Sequence, residues 1–352
     1  MIPQQKSAAV TVGLRTAFGV TGFEDIRRMT KGHDFALVFR IVVRGSPFLL
    51  RIIIRPNSMT GPGREFACMK AAAEAGLAPR IWYTSIKDGI SITDFVEEAP
   101  FPATEALVRM PAMLRALHAL PPFPRGVDAF DTTCMSLLQK GPAVNGLMRK
   151  VQVANIFPKA ESENLFAWHA QVAAVYPRHD PADMVSSHND LFKPDNILFD
   201  GDRVWLVDWE AAFLNDRYAD LAVVANLIVT SDAEERVYLQ EYFGQPPDEY
   251  QRARFFLMQQ VAHMFYAMVF LWLGLSGEPV SQGEEPPEFR EFNRLMWAGN
   301  VNLKDNATKI VYGKVHWEKL VQNMGQARFS EALRIVAGRN PPRLIHDTPA
   351  NG

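Results

Sequence analysis

The chain has 352 residues, of which 48% are hydrophobic and 22% are charged, and its formal net charge is −2. This composition is typical of a globular protein, and the small net charge argues against a broad surface for nucleic acid or anionic membranes. The two cysteines, Cys68 and Cys134, are too few for a disulfide framework and lack zinc-binding spacing. A reducing cytoplasm is therefore the expected compartment, and the length favours two lobes over one compact unit.

The first third of the chain predicts a small antiparallel sheet with one helix. Strands are expected where β-branched and aromatic residues cluster, at 35–43, 48–54, 80–85 and 90–95. The turn residues at 44–47 predict that the first two strands form a hairpin. An alanine-rich helix is expected over 64–75, ended by Gly76 as helices commonly are.

Helical periodicity dominates the rest of the chain. Apolar spacing predicts helices at 104–119, 159–176, 218–229, 233–243 and 255–275. The last of these is long and apolar enough to span a bilayer, but it carries Gln259, Gln260 and His263, which would be expensive in lipid. A buried core helix, and no membrane partner, is therefore expected.

These patterns predict an α+β protein with two lobes. Residues 1–97 would form an N-terminal lobe with the sheet and one helix. Residues 98–339 would form a larger, mainly helical C-terminal lobe. The polar, proline-containing segment 340–352 is expected to be a poorly ordered tail.

Acidic and amide residues recur within a short segment past the middle of the chain, in the motifs His188-Asn189-Asp190, Asn196 and Asp208-Trp209-Glu210. Two apolar runs, 197–199 and 204–207, are joined by polar turn residues, which predicts a tight hairpin. Such a hairpin would place Asp190 and Asn196 before its first strand and Asp208 just after its second. Three side chains with oxygen ligands would then meet in one small volume.

Such a group of oxygen donors suits phosphoryl transfer. Mg²⁺ prefers carboxylate and amide oxygens, and a separate carboxylate must accept the proton of the attacking hydroxyl. Protein kinases use an aspartate, then an asparagine, and then a metal-binding aspartate after a hairpin, which is the order found here. The alternative is that these residues merely occupy turns, as Asp and Asn often do. The whole set in this order favours the functional interpretation.

The chain resembles the aminoglycoside phosphotransferase and choline kinase family, small-molecule kinases with the protein-kinase-like fold. The resemblance covers most of residues 25–275. Besides the motifs around Asp190 and Asp208, it rests on residues 215–222, on residues 76–80 and on the Leu117-His118 pair. Residues 215–222 are similar to the corresponding segment of bacterial choline kinase-like members, so this branch is favoured.

The resemblance implies a role for each residue of the central motifs. Asp190 would be the base that orients the acceptor hydroxyl, and Asn196 and Asp208 would bind Mg²⁺. His188 and Asp220 are expected to support the catalytic loop structurally. The implied cofactors are ATP and Mg²⁺.

In the first lobe the resemblance implies a nucleotide site. Arg51 stands where the family usually has a lysine that grips the phosphates, and Glu65 would be its ion-pair partner. The alternative is that both are ordinary residues of an alternating strand and a solvated helix. The loop with Gly32 would cover the phosphates, and the segment from Asp94 to Val96 would be the hinge whose backbone binds adenine.

Two departures from the family pattern affect these assignments. The catalytic loop is one residue longer than usual, so Asp195 occupies the usual position of the metal-binding asparagine. Asn196 is preferred because the apolar strand follows it directly, and the choice between the two stays open. Asn189 replaces a glycine of many aminoglycoside kinases, which favours choline-type members.

The acceptor site is the least defined part of the prediction. Glu210, Tyr266 and Trp272 are candidate substrate residues, because acids and aromatic faces suit a cationic amino alcohol; the alternative is that the aromatic residues belong to the core. The predicted function is ATP- and Mg²⁺-dependent phosphotransfer to a small-molecule alcohol, with a choline- or ethanolamine-like acceptor favoured. An aminoglycoside or other amino sugar is the alternative, and a catalytically silent nucleotide-binding scaffold is the second. The oligomeric state is left open.

Overall fold

The sheet near the start of the chain has five antiparallel strands in the order β1-β2-β3-β5-β4. The computed structural model describes residues 2–29, 36–54, 61–124, 150–177, 180–276 and 285–339. The strands are β1 Asp25–Arg28, β2 Ala36–Val43, β3 Ser46–Ile53, β4 Ile81–Ser85 and β5 Ile90–Asp94. The four predicted strands are present, and β1 is added at the edge. The predicted loop with Gly32 and the tail 340–352 lie outside the described residues.

The β2–β3 hairpin positions Arg51 in the middle of the sheet. Its turn residues Arg44 (φ 52°) and Gly45 (φ 74°) are both left-handed, as two-residue type I′ turns require. In the resulting register Arg51 lies opposite Val38 of β2 and Ser91 of β5. Because side chains alternate between the two faces of a strand, Arg51 projects from one face of β3, and the adjacent Leu50 and Ile52 project from the other.

Helix α1, Gln4–Phe18, covers the other face of this sheet. Its Val10 and Leu14 share a buried core with Leu50 and Ile52 of β3. Gly13 permits the close approach, since a Cβ at this position would lie 2.9 Å from ring carbons of Tyr83. This packing fixes which face of β3 is buried and leaves the face that carries Arg51 for other contacts.

Among the described residues, the α-helices that follow α1 are α2 Pro62–Glu74, α3 Ala103–His118, α4 Lys159–Val175, α5 Arg217–Ile228, α6 Asp232–Phe243, α7 Glu249–Leu275, α8 Phe289–Trp297, α9 Asn306–Met324 and α10 Ala327–Arg339. The sheet and these helices confirm the predicted α+β class.

The chain divides into two compact units. One comprises Met1–Thr132, Ala182–Gln245 and Asn293–Asn300, and the other comprises Thr133–Pro181, Pro246–Phe292 and Val301–Gly352. The sheet and the segment with the acidic and amide motifs belong to the first unit. The lobe boundary after residue 97 stays a prediction.

Helix α7 is the central helix of the second unit. It is long and apolar enough to span a membrane, but 78% of its most apolar window is buried inside the protein. Two of its polar side chains have partners within the unit: Gln260 Oε1 accepts from Asn323 Nδ2 at 2.8 Å, and the Nδ1 atoms of His263 and His316 lie 2.9 Å apart. These are the contacts of a core helix.

Helices α7 and α9 approach closely at two glycines. A Cβ at Gly313 would lie 2.9 Å from the backbone nitrogen of Leu271, and one at Gly274 would lie 2.9 Å from the carbonyl oxygen of Asn306. Gly313→Ala should therefore lower the free energy of unfolding by about 1–3 kcal/mol through overpacking, although alanine is intrinsically the better helix former by about 1 kcal/mol. Equilibrium denaturation measures this change.

Gly338→Ala is the matched control, because Gly338 is also helical and, apart from its chain neighbours and the nearby backbone of its own helix, no described atom lies within 4 Å of its added Cβ. It should raise the free energy of unfolding by up to about 1 kcal/mol. A stability gain in both variants would contradict the close helix packing.

Candidate functional site

A tight hairpin brings Asn196 beside the residues that precede Asp208. Strands β7 Ile197–Phe199 and β8 Val204–Leu206 form an antiparallel pair. Ile197 lies opposite Leu206 at the open end of the hairpin. The backbone nitrogen of Val207 then donates to the carbonyl of Asn196 at 3.1 Å. At the closed end, Oδ1 of Asp200 accepts from the backbone nitrogens of Asp202 and Arg203 at 2.9 and 2.7 Å. The structure therefore has the hairpin that the sequence predicts.

Two residues of the motifs adopt left-handed backbone conformations, Asn189 with φ 67° and Asp208 with φ 64°. Asn and Asp tolerate this conformation better than other non-glycine residues. The Asn189 amide group also ties the loop to its surroundings: Nδ2 donates to Ala211 O at 3.0 Å, and Oδ1 accepts from Asn215 Nδ2 at 2.8 Å. Asn215 belongs to β9 Phe213–Asp216, which pairs with β6 Met184–Ser187. A glycine at position 189 would lack both side-chain bonds.

Asp220 binds the backbone of the loop that precedes Asp190. Its carboxylate accepts hydrogen bonds from the backbone nitrogens of His188 and Asn189, each at 2.8 Å, and His118 Nε2 lies 3.4 Å away. Burial alone would raise the pKa of Asp220, but the hydrogen bond and charge of His118 hold that pKa below its usual value. The geometry suits the predicted scaffold role, which stays a prediction.

The neutral His188 side chain connects two segments of the site. Burial lowers its pKa, and Nε2 donates to the carbonyl oxygen of Val207 at 2.9 Å. Because a carbonyl can only accept, the proton of the neutral ring is on Nε2. Nδ1 has no partner among the described atoms, which fits a nitrogen without a proton. This contact connects the loop before Asp190 to the strand end before Asp208.

Three carboxylates meet at this point. Oxygen atoms of Asp190, Asp208 and Glu210 all lie within 4.8 Å of one another. Burial, followed by the charge of Asp208, raises the pKa of Glu210 to about 7. Such a set of oxygen donors fits a hard divalent cation such as Mg²⁺.

The structure distinguishes Asn196 from Asp195. Asn196 is buried, and its Nδ2 donates to the backbone oxygen and to Oδ2 of Asp190 at 2.7 and 2.9 Å. Its Oδ1 then remains as an oxygen donor. Asp195 is exposed on the short 3₁₀ turn Pro194–Asn196. These positions support Asn196 over Asp195 as a metal ligand.

Arg51 and Lys193 contact the carboxylates of the acidic cluster. Arg51 forms an ion pair with Glu65 of α2, and its Nη2 lies 3.1 Å from Asp208 Oδ1 and 3.6 Å from Glu210 Oε2. Lys193 Nζ donates to Asp190 Oδ2 at 2.8 Å. Arg51 and Glu65 are therefore partners in the structure, and their nucleotide-binding role stays a prediction.

The predicted hinge follows the end of β5. The Asp94 carboxylate accepts a hydrogen bond from Trp82 Nε1 at 2.6 Å, and the Asp94 backbone nitrogen donates to Arg80 O at 2.9 Å. Val96 is half-buried two residues later. The Asp94 side chain is thus bound to Trp82, and the nucleotide-binding role of this segment stays a prediction.

The predicted aromatic substrate residues belong to α7 in the second unit. Tyr266 is buried there and its ring packs against those of Phe270 and His316, at centroid distances of 6.1 and 5.2 Å. Trp272 is half-buried, with Lys150 Nζ 5.9 Å from its ring centroid. Tyr266 thus has the contacts of a core residue, and both assignments stay predictions.

Sequence reasoning missed two cations at the cluster. Lys193 lies in the loop between Asp190 and Asn196, and a charged side chain three residues after the proposed base is a signal that could have identified it. Arg64 donates from Nη2 to the carbonyl oxygen of Glu210 at 2.8 Å. No local pattern signals that contact, because the two residues are 146 positions apart.

The chain was compared with known proteins. The model of the phosphotransferase enzyme family (APH) matches residues 25–256, more than half of the chain. A choline/ethanolamine kinase family protein from Mesorhizobium loti superposes with a TM-score of 0.62 and 18% identity, covering 94% of this chain and 98% of that one. Choline kinase from Cryptosporidium parvum Iowa II gives 0.61 and 12%, covering 89% and 92%. Macrolide 2′-phosphotransferase from Brachybacterium faecium gives 0.54 and 17%, covering 84% and 99%.

These comparisons confirm the family resemblance and the protein-kinase-like fold that the sequence predicts. At identities of 12–18% the solved structures share the fold with this chain. Comparison with curated proteins by sequence gives no significant match.

Proposed function

The chain belongs to the phosphotransferase enzyme family, and from this premise we propose that it transfers the γ-phosphoryl group of ATP to the hydroxyl of a small-molecule alcohol, with Mg²⁺ as cofactor. The observation that carries the proposal is the cluster of Asp190, Asp208 and Glu210 within 4.8 Å, with the Asn196 amide bonded to Asp190. The proposed compartment is the cytoplasm, because two cysteines give no disulfide framework.

Asp190 is the base. Both of its side-chain hydrogen bonds, from Lys193 and Asn196, go to Oδ2, so Oδ1 is the oxygen that accepts the proton of the acceptor hydroxyl. A carboxylate held from one side is oriented for this task. The acceptor oxygen forms its bond to the γ-phosphorus as the bond to the β–γ bridging oxygen breaks, and the bonding electrons leave with ADP.

Asp208 and Asn196 would hold Mg²⁺, and Glu210 is close enough to add a third oxygen. The metal would supply positive charge opposite the phosphates. Arg51 binds the phosphates of the nucleotide and is held for this task by Glu65. Glu65 is only 3% exposed, so the pair is largely removed from solvent and is screened little by salt.

Arg51→Ala should raise the KM for ATP about tenfold or more, since a charged hydrogen bond to phosphate is worth about 1.5–3 kcal/mol, while the KM of the acceptor stays unchanged. Steady-state kinetics with each substrate varied in turn measures both constants. The substitution leaves Glu65 buried without its cation, which costs stability, so Arg51→Ala/Glu65→Gln is measured beside it. Arg27→Ala, on the exposed edge strand, is the control. A rise confined to the acceptor KM would refute the nucleotide role.

A choline- or ethanolamine-like acceptor is the favoured substrate. The carboxyl groups that meet at the site, those of Asp190, Asp208 and Glu210, support a cationic acceptor. Solved relatives named for choline or ethanolamine point the same way. The likeness to a Ralstonia eutropha protein described as an aminoglycoside phosphotransferase supports the alternative, an aminoglycoside or other amino sugar.

The deciding experiment is an acceptor screen that follows ADP release with Mg²⁺ and ATP. Choline and ethanolamine should stimulate release above the rate without acceptor, and amino sugars should do so less. The reverse order would replace the favoured acceptor by the alternative. ATP binding without acceptor-dependent ADP release across a broad alcohol panel would instead identify a nucleotide-binding scaffold.

A further inference from the structure

Strand β4, at the edge of the sheet, is irregular at Trp82. Ile81 lies opposite Thr93 of β5 and Tyr83 lies opposite Ile92, so two steps along β4 match one step along β5. The extra residue is Trp82, and such a β-bulge bends the strand and redirects a side chain. The partner of the Trp82 side chain therefore shows what the bulge achieves.

The Trp82 side chain binds the last residue of β5, since its Nε1 donates to Asp94 Oδ1 at 2.6 Å. The indole is half-buried and packs against Phe18 and Phe48, at ring-centroid distances of 5.2 and 5.6 Å. The guanidinium carbon of Arg80 lies 4.0 Å from its ring centroid. These neighbours hold the ring in the orientation that directs its N–H to the Asp94 carboxylate.

Asp94 is held at each of its polar groups. Besides the carboxylate, its backbone nitrogen donates to Arg80 O at 2.9 Å, and its carbonyl oxygen accepts from Thr93 Oγ1 at 3.2 Å. Of the three contacts, the one from Trp82 is made by a side chain of the neighbouring strand. A residue fixed at three points determines the direction in which the chain leaves the sheet.

Trp82 and Arg51 lie on opposite faces of the sheet. Asp94 is opposite Phe48 in the strand register, and Phe48 belongs to the core shared with α1. Leu49, the next residue of β3, lies on the face of Arg51, because side chains alternate along a strand. A ligand on the Arg51 face is therefore separated from Trp82 by the sheet, and an effect of Trp82 on it passes through Asp94.

A nucleotide whose phosphates are bound by Arg51 would extend toward the end of β5. The two residues from Arg51 to Leu49 span about 7 Å along β3. Leu49 lies opposite Thr93, the residue before Asp94. The base of such a nucleotide would therefore lie beside the chain at residues 95–96, directly after the residue that Trp82 holds.

We propose that Trp82 is a positioning residue of the nucleotide site: its indole N–H, directed by the β4 bulge, holds the Asp94 carboxylate and thereby fixes the backbone of residues 95–96 for the adenine base. The inference rests on the proposed binding of ATP at the Arg51 face. A segment that is ordered before binding loses less conformational entropy when the ligand binds. The bond from Trp82 to Asp94 should therefore contribute to the part of the nucleotide affinity that comes from the base.

Removing the indole N–H tests this contribution. Trp82→Phe and Asp94→Ala are titrated by calorimetry, with Mg²⁺ present, against β,γ-methylene ATP and against tripolyphosphate, which has no base. Each variant should lose roughly tenfold in affinity for the nucleotide, the usual effect of one hydrogen bond, and should keep its affinity for tripolyphosphate. The double variant should lose no more than either single variant, because both remove the same bond. Asp94→Asn, which still accepts the indole proton, should lose less than Asp94→Ala.

Trp205→Phe is the matched control, because Trp205 makes the same kind of contact elsewhere. Its Nε1 donates to Asp200 Oδ2 at 2.7 Å, and the guanidinium carbon of Arg203 lies 4.3 Å from its ring centroid. This variant should keep the wild-type ratio of nucleotide affinity to tripolyphosphate affinity. A ratio that fell as far as in Trp82→Phe would show a general effect of losing an indole and would overturn the proposal.

The indole signal of the wild type gives a second test, for which the variant serves only to assign the resonance. In protein labelled with ¹⁵N-tryptophan, the indole N–H resonance that is absent from Trp82→Phe should shift on binding the nucleotide and should not shift with tripolyphosphate. A resonance that does not distinguish the two ligands, equal losses for both ligands in the variants, or equal wild-type affinities for both would overturn the proposal. No acceptor is needed, so rejection of the transferase function by the acceptor screen is a separate result.

Discussion

Asp190→Asn should lower the single-turnover rate of phosphoryl transfer by about 10²–10⁴-fold, the usual contribution of general acid–base catalysis. Asparagine keeps the size of the side chain but cannot accept the hydroxyl proton. Affinity for ATP should be unchanged or slightly higher, because the substitution removes a negative charge near the triphosphate. Rapid-quench measurements report the chemical step even where product release limits steady-state turnover.

Asp195→Asn is the matched control for this variant. Asp195 lies on the same loop but is exposed, so its rate and ATP affinity should equal those of the wild type. This control also separates the two candidates for the loop's metal ligand, since a large effect would implicate Asp195 instead of Asn196. If Asp190→Asn retained more than about a tenth of the rate, Asp190 would not be the base.

The parts of the site that could be predicted are those determined by short-range patterns. The hairpin after Asn196 depends on two adjacent apolar runs and on Asp200, whose carboxylate binds the turn backbone. Its geometry then determines that Asn196 and Val207 are neighbours. The spacing of these residues was therefore sufficient to predict that Asp190, Asn196 and Asp208 come together.

Contacts between distant segments were beyond such patterns. Arg64 reaches the carbonyl of Glu210 only because α2 packs beside the 3₁₀ turn Trp209–Ala211. Pairing of β6 with β9, which brings Asn215 to Asn189, likewise depends on the folded path of the chain. Local sequence carries no information on which distant backbone oxygen a side chain will meet.

Helices α7 and α1 show a different limit of prediction from the sequence. Helix α7 was predicted from residue 255 on apolar content, yet it begins at Glu249. Asp248 and Gln251 form a capping box, with hydrogen bonds of 2.7 and 2.9 Å that stabilise six further residues of mixed polarity. This signal was present in the sequence. Helix α1 was not predicted because few of its residues are buried, among them Val10 and Leu14, and its stability comes from packing on the sheet.

Asp208→Asn should raise the Mg²⁺ concentration needed for half-maximal activity at least tenfold, since even indirect changes at metal sites cost about 10–100-fold in affinity. The substitution keeps the side-chain shape, and asparagine tolerates the left-handed backbone of this residue (φ 64°). It therefore tests the charge of the ligand without the strain that another residue would add. The gain in ATP affinity on adding Mg²⁺ should shrink by a similar factor.

The two aspartate variants should differ in a way that assigns their roles. Asp190→Asn should leave the Mg²⁺ titration midpoint near that of the wild type, whereas Asp208→Asn should shift it. The control is Asp202→Asn, in the exposed hairpin turn, which should change neither the midpoint nor the rate. Glu210 has an oxygen within 4.8 Å of one on Asp208, so it can retain part of the metal affinity, and Asp208→Asn/Glu210→Gln should shift the midpoint further. An unchanged midpoint in both the single and the double variant would show that these carboxylates do not bind the metal.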